Sequence, residues 1–446
     1  MKLRLVILSI LVVCINSYIH AQSDTTTKKP IIKTGWNFGA LPVVAYNSDL
    51  GFQYGVLTSP FYYGDGSKYP NYIHKIYFEA SRYTKGSGIY RLYFQSKYLI
   101  PNINSIFDVS YLPDLAYDFY GFNGSQSIFH KDWIDKESPN YVSSYFYKTQ
   151  KKLFRVKAEF QGATKIENLG WALGIQFRNI SYSRPNFTLL NKDKSGTDVI
   201  PSDSTLFDKY VQWGFIPNKD KNGGIVSTIK TGLVYDTRDF DSNPAKGIWT
   251  EAIIAVSPSF LGTNSSSFGV FNFTHRQYFT LIPKKLIFAY RGVFQAKLFG
   301  EMPFYILPEI ETTVLTSAYN EGLGGSNSLR GVLRNKVIGE QMCSGNFELR
   351  YKFLKFKIKK QNMYLATNIF YDAGAILKPI DIPINNLTST DQNLYFSNTY
   401  KGIHSTAGMG LKIVMNENFI VSVEYGKALS KQDGNKGMYI RLNYLF

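Results

Sequence analysis

From residue 35 to the end of the chain, apolar and polar positions exchange every second residue in one segment after another. In 361–376, Met363, Leu365, Ile369 and Tyr371 share one face, and Asn362, Asn368, Asp372 and Gly374 share the other. In 437–446, Met438, Ile440, Leu442, Tyr444 and Phe446 oppose Tyr439, Arg441 and Asn443. A period of two marks a β-strand with one apolar and one polar face. Sixteen such segments can be drawn: 35–46, 50–63, 71–84, 88–99, 105–121, 145–163, 169–184, 224–239, 248–261, 267–282, 285–299, 339–356, 361–376, 403–416, 419–430 and 437–446.

The connections between them sort by length. Those after even-numbered strands are short, such as IPNIN, TKIEN, FDSNPAKG and NEN; several after odd-numbered strands are long, at 122–144, 185–223, 300–338 and 377–402. Outer-membrane barrels have short periplasmic turns and long outer loops. A soluble protein of several sheets, the other fold that the alternation permits, has no reason to sort its loops this way. Lipid offers no water to backbone groups, so a membrane sheet must close on itself. The expected fold is therefore all-β: a 16-stranded antiparallel transmembrane β-barrel over 35–446, integral to the outer membrane, with both termini periplasmic.

Composition agrees. Aromatic residues make up 16% of the chain, with 33 Tyr and 33 Phe, and no apolar run after the N-terminus approaches the roughly 18 residues of a spanning helix. Met1-Lys2-Leu3-Arg4, the apolar run Leu5 to Ile15 and the site before Gln22 read as a secretory signal peptide over 1–21. Few small residues precede Cys14, so a lipoprotein reading is weak. Residues 22–34 form a short polar periplasmic linker. Cys14 leaves with the signal and Cys343 has no partner within the chain, so packing and hydrogen bonds must stabilise the fold.

The formal net charge is +17, of which Lys2 and Arg4 leave with the signal. Nucleic acid is the usual partner of such a charge, but an exported chain with scattered basic residues points elsewhere. Outer-membrane lipid head groups and lipopolysaccharide are the expected partners, beside ordinary solvated loop and lumen charges. No cofactor or metal spacing is present. An enzyme is not expected: His404-Ser405 and Thr274-His275 are the close histidine–hydroxyl pairs, and neighbours in a strand point to opposite faces.

Five stretches stand out in order along the chain: Asp118-Phe119-Tyr120-Gly121-Phe122-Asn123-Gly124; Asp236-Thr237-Arg238-Asp239 with Pro244-Ala245-Lys246-Gly247; Leu329-Arg330-Gly331-Val332; Phe347-Glu348-Leu349-Arg350; and Phe370-Tyr371-Asp372-Ala373-Gly374. Together they resemble one family, the bacterial surface antigen barrels that include BamA and TamA. The first is similar to its FYGxGN strand end and the second to its turn between strands eight and nine. The third resembles its loop motif between strands eleven and twelve, with Val332 where an aromatic is usual, and the last two resemble the strands that follow. The family's assembly and secretion members carry POTRA domains before the barrel, where this chain offers only its short linker.

The resemblance implies that the loop carrying Leu329, Arg330 and Gly331 folds back into the lumen. There Arg330 needs anions, and Glu348 and Asp372 lie on the polar faces of adjacent strands. The plainer alternative is a solvated loop arginine. Asp236, Arg238, Asp239 and Gly247 form either a charged periplasmic turn or a turn held by an ion pair and Asx hydrogen bonds. Tyr444 and Phe446 resemble a C-terminal assembly signal read by the outer-membrane assembly machinery. The function implied is insertion or translocation of client polypeptides, with lipid as a second cargo class. A passive pore or structural surface barrel is the alternative.

Overall fold

The computed structural model describes residues 31–38, 40–47, 50–263, 266–313, 322–358 and 361–446. The expected signal peptide and most of the expected linker lie outside the described residues. The described residues form one closed antiparallel barrel of sixteen strands, with two further two-residue strands, Trp36–Asn37 and Phe61–Tyr62, in the same sheet. The sixteen are β1 (Ala40–Asn47), β2 (Gly51–Thr58), β3 (His74–Tyr83), β4 (Gly88–Ile100), β5 (Ile103–Asp118), β6 (Lys148–Ala163), β7 (Leu169–Ser183) and β8 (Gly223–Asp236). There follow β9 (Gly247–Ser257), β10 (Phe268–Ile282), β11 (Leu286–Phe299), β12 (Gln341–Ile358), β13 (Gln361–Lys378), β14 (His404–Met415), β15 (Phe419–Ala428) and β16 (Lys436–Leu442).

The period of two governs which side each residue faces. Along β13, Tyr364, Ala366, Asn368, Phe370 and Asp372 are buried in the lumen, whereas Ile369 and Tyr371 are exposed on the outer wall. The polar face is thus the inner one, as lipid outside requires. The observed connections sort as the sequence suggests, with the long loops and their short helices all at one end.

At that end the loops form a dome. Helix α1 (Leu206–Gln212) begins with a capping box between Thr205 and Asp208, which satisfies orphan N–H groups of its first turn. It places Tyr210, fully buried, edge-on against Phe119, Phe122 and Phe215. Helix α2 (Ser389–Tyr395) adds Tyr395, which packs on Trp133 and Trp213. This aromatic cluster is the largest apolar core among the described residues and continues from the loops onto barrel strands through residues such as Tyr117, Tyr182 and Val226.

The two terminal strands differ from expectation. The first begins at Ala40 instead of residue 35, because Gly35, in a left-handed conformation, exchanges hydrogen bonds with Tyr63 and Gly64, so that Trp36–Asn37 pairs instead with Phe61–Tyr62. The last strand ends at Leu442. Asn443 takes φ of 66°, which breaks the extended chain, and Tyr444, Leu445 and Phe446 turn inward. Tyr444 packs on Tyr364, Val414 and Ile420, and Phe446 on Tyr278 and Ala289. Tyr444 and Phe446 therefore lie against the lumen wall, off the lipid-facing row expected for them.

Candidate functional site: the lumen loop and the closing seam

The described parts of the loop between β11 and β12, 300–313 and 322–340, enter the lumen. Gly331 has φ of 108°, a conformation that favours glycine. A Cβ there would stand 2.6 Å from the carbonyl carbon of Gly426, and one on Gly426 would meet the Arg330 oxygen. This glycine pair lets the loop lie backbone to backbone against β15. Leu329 packs with Leu323, Val332, Val337, Met342 and Ile376 beneath it.

Arg330, wholly buried, is held by three carboxylates. Its Nε and Nη2 donate to Asp372 Oδ2 and Oδ1 at 2.9 and 2.8 Å, the bidentate fork that guanidinium geometry favours. Nη1 donates to Glu348 Oε1 at 2.6 Å and to Glu424 Oε1 at 2.9 Å. Its guanidinium carbon lies 3.5 Å from the Phe370 ring centre, and its backbone N–H donates to Asp372 at 3.1 Å. The carboxylates have further cations: Arg350 on Glu348 at 2.7 Å, and Lys412 and Arg441 on Glu424 at 2.8 and 3.2 Å. Asp372 also accepts from Asn346 at 2.9 Å. So the structure places Arg330 beside Glu348 and Asp372 together. Glu424, Lys412 and Arg441 complete the network and were not singled out from the sequence. Their alternating polar positions on β14, β15 and β16 were the available signal.

Two further anchors fix the loop. Its first half sets Glu309 and Glu311 against the opposite wall, where Arg178 contacts both and Lys230 meets Glu311 at 2.7 Å. Its second half sets Arg334 on Asp118 and Asp114 at 2.9 and 2.8 Å. Lys336 donates to the Ser127 carbonyl at 2.5 Å. Burial, opposed by the charge of Asp433, pushes the Lys336 ammonium down to about 8.

The turn between β8 and β9 is knit locally. Arg238 forks onto Asp236 at 2.9 and 2.6 Å and lies over the Trp249 ring at 4.0 Å. Asp239 accepts from the N–H groups of Ala245 and Lys246 at 2.9 and 3.2 Å. Gly247 has φ of 105°, with the Thr237 carbonyl 2.3 Å from where a Cβ would be.

The barrel closes where β16 meets β1, and among the described residues the register there holds the pair Tyr439 with Asn47. For comparison, the β12–β13 junction runs from Gln341↔Lys378 to Ile358↔Gln361. β16 has seven residues and β1 eight, fewer than the roughly 9–11 of an ordinary membrane strand. Tyr439 also links the seam to the loop, since its hydroxyl accepts from the Gly331 N–H at 3.2 Å. A cavity of about 350 Å³ inside the wall is lined on the seam side by Val43, Asn47, Tyr439 and Arg441.

The family model for the Omp85 superfamily domain matches residues 79–444, most of the chain. Among solved structures, BamA from Haemophilus ducreyi lacking POTRA domains 1–3 is similar at 17% identity and a TM-score of 0.50, over 92% of this chain and 70% of that one. CdiB from Escherichia coli is similar at 10% identity and a TM-score of 0.53, over 93% of this chain and 63% of that one. The chain thus spans less than two thirds of CdiB, and both likenesses concern the fold. No curated protein matches the chain.

Proposed function

Because the chain belongs to the Omp85 superfamily, we propose that this outer-membrane barrel inserts or translocates polypeptides, using the junction of β1 and β16 as its working element. The single observation that carries the reading is how short the register between β1 and β16 is among the described residues. A junction this short has the least ladder to give up, and lipid offers no substitute for ladder bonds, so an incoming extended segment would replace it most readily by strand addition. A sheet edge is ordinarily a liability that proteins cover, and here the described register between the two edge strands is brief. The short seam strands favour local thinning of the bilayer, which lowers the barrier to lateral entry.

In this reading the short turns and both termini are periplasmic, and the dome faces outward. The lumen loop, pinned on opposite walls, acts as a strut that keeps the barrel round while the seam works. Lipids and lipopolysaccharide surround the outer wall, and the assembly machinery recognises the terminal segment with Tyr444 and Phe446. No chemical step is needed for this role. A passive pore is disfavoured by the dome and by the loop across the lumen.

The experiment is in-cell photo-cross-linking from position 47 or 439, followed by identification of what is captured. Polypeptide strands of other membrane or secreted proteins would support the proposal. Capture of lipid alone, beside measurable conductance of the purified barrel, would favour the pore.

A further inference from the structure

At the outer rim, three distant parts of the chain bring together a serine, a histidine and an aspartate. His404, the first residue of β14, directs Nδ1 to Asp433 Oδ1 at 2.5 Å and Nε2 to Ser125 Oγ at 3.4 Å. His404 and Asp433 are almost wholly buried, whereas Ser125 is half-buried. We propose that Ser125, His404 and Asp433 form a nucleophilic site that cleaves carboxylic esters reaching the barrel from its outer side.

The geometry separates this histidine from the others. His74 contacts Ser96, and His275 contacts Thr250 and Tyr290, while His130 contacts the Leu394 carbonyl. Among the described residues, His404 is the histidine with a carboxylate on one ring nitrogen and an aliphatic hydroxyl on the other. With Asp433 accepting from Nδ1–H, the Nε2 lone pair is left for the serine proton. That is the division of labour a serine nucleophile requires. A separation of 3.4 Å is in the loose range usual before substrate binds.

The surroundings keep the three groups in place and the hydroxyl open. Gly124 has φ of 54°, and a Cβ on it would stand 2.8 Å from His404 Nε2. A Cβ on the exposed Gly402 would stand 2.8 Å from Ser125 Oγ. Two glycines therefore clear both sides of the Ser–His contact. The serine turn is pinned from outside: Ser397 Oγ donates to the Ser125 carbonyl at 2.7 Å, and Asn123 accepts from the Ile380 N–H at 2.7 Å. From inside, the lumen loop holds both flanks, with the Leu333 N–H on the Asp433 carbonyl at 2.8 Å and Lys336 on the Ser127 carbonyl at 2.5 Å. Such second contacts are what hold a reactive constellation in position.

The step balances without any redox partner. Ser125 Oγ attacks the ester carbonyl carbon as His404 Nε2 takes its proton, and Asp433 stabilises the imidazolium. The C–O bond to the alcohol breaks, His404 returns the proton to the departing alkoxide, and an acyl-serine remains. Water then attacks with His404 again as base, releasing the acid and restoring the serine. Ser125 and His404 are the catalytic residues; Asp433 acts through the histidine.

The test is labelling of the purified, full-length, folded barrel with a fluorophosphonate, with the adduct mapped by peptide mass, alongside hydrolysis of p-nitrophenyl butyrate. The wild-type protein should carry the adduct on Ser125. Ser125→Ala should abolish it, and His404→Gln should slow labelling by about 100-fold or more, the range of general-base assistance. Gly402→Val keeps the three side chains but sets its Cβ against Ser125 Oγ, and should block labelling by crowding the hydroxyl. Asp433→Asn should shift the pH profile of labelling as well as its rate. A folded wild-type barrel with no adduct on Ser125, or with label elsewhere that persists in Ser125→Ala, overturns the proposal. Heat-modifiability confirms folding of each variant, and the wild-type result alone is decisive if a variant fails to fold.

Discussion

Replacing Arg330 with alanine removes four side-chain hydrogen bonds to three buried carboxylates. The consequences differ among the three. Glu348 keeps Arg350, and Glu424 keeps Lys412 and Arg441. Asp372 keeps Asn346 as its side-chain hydrogen-bond donor, so it becomes the uncompensated charge. Breaking one partner out of a buried pair typically costs about 3–5 kcal/mol. At about 1.4 kcal/mol per decade, that shifts the docking of the loop by a factor of roughly 100 to 4,000. The glycine contacts and the Glu309 and Glu311 anchors remain, so the barrel should stay folded. The assay is cleavage of the loop by protease added outside intact cells, with heat-modifiability as the control for the barrel. Arg330→Ala should be cleaved far faster than wild type, and Arg330→Lys should fall between. Asp372→Asn should act like Arg330→Ala, and the double variant should be little worse than either, because each removes the same pair. Strictly additive effects, or an Arg330→Ala loop that stays protected, would refute the pairing as the loop's main tether.

Gly331→Ala should displace the loop as effectively as losing Arg330, since its Cβ would meet the Gly426 backbone; unchanged protection from protease would contradict that. Asp239→Ala removes two turn hydrogen bonds and should lower barrel stability by about 1–3 kcal/mol, read as a lower urea midpoint. Phe446→Ala empties a site against Tyr278 and Ala289 and should reduce the amount of heat-modifiable protein in the outer membrane, whereas unchanged levels would place the assembly signal elsewhere. Lys336 is held down at about 8, below the roughly 10.4 of a free lysine. The undocked loop therefore binds the proton more tightly, and docking should strengthen as pH rises from about 8 to 10. Lys336→Met should abolish that trend in protease protection.

The barrel wall was legible because alternation is a local signal that lipid enforces at each strand. Strand number, loop sorting and the lumen faces of Glu348 and Asp372 all follow from it. The ends were less legible. Nothing in 437–446 interrupts the alternation, yet Asn443 adopts a left-handed conformation and Tyr444 and Phe446 find apolar partners inside. An asparagine can take either geometry, so tertiary packing decides. Glu424 and Lys412 lie on alternating polar positions, but their joining to Arg330 depends on barrel curvature, which no local pattern encodes. Ser125, His404 and Asp433 lay further out of reach, because they meet only after strand pairing and dome packing. The dome itself was visible only as long loops, although Thr205 and Asp208 hold the spacing of a capping box.

The central claim is that the seam between β1 and β16 opens for a client. Asn47→Cys with Tyr439→Cys, in a Cys343→Ser background, places two thiols at the register pair described for the seam. Cross-strand partners of an antiparallel ladder lie about 4.5–5.5 Å apart between Cα atoms, within disulfide reach. Insertion or passage of client polypeptides should be measured in proteoliposomes holding the folded double variant, oxidised and then reduced. The account predicts loss of activity on oxidation and its return on reduction, with the single variants indifferent to both. Full activity with the seam covalently closed would contradict it.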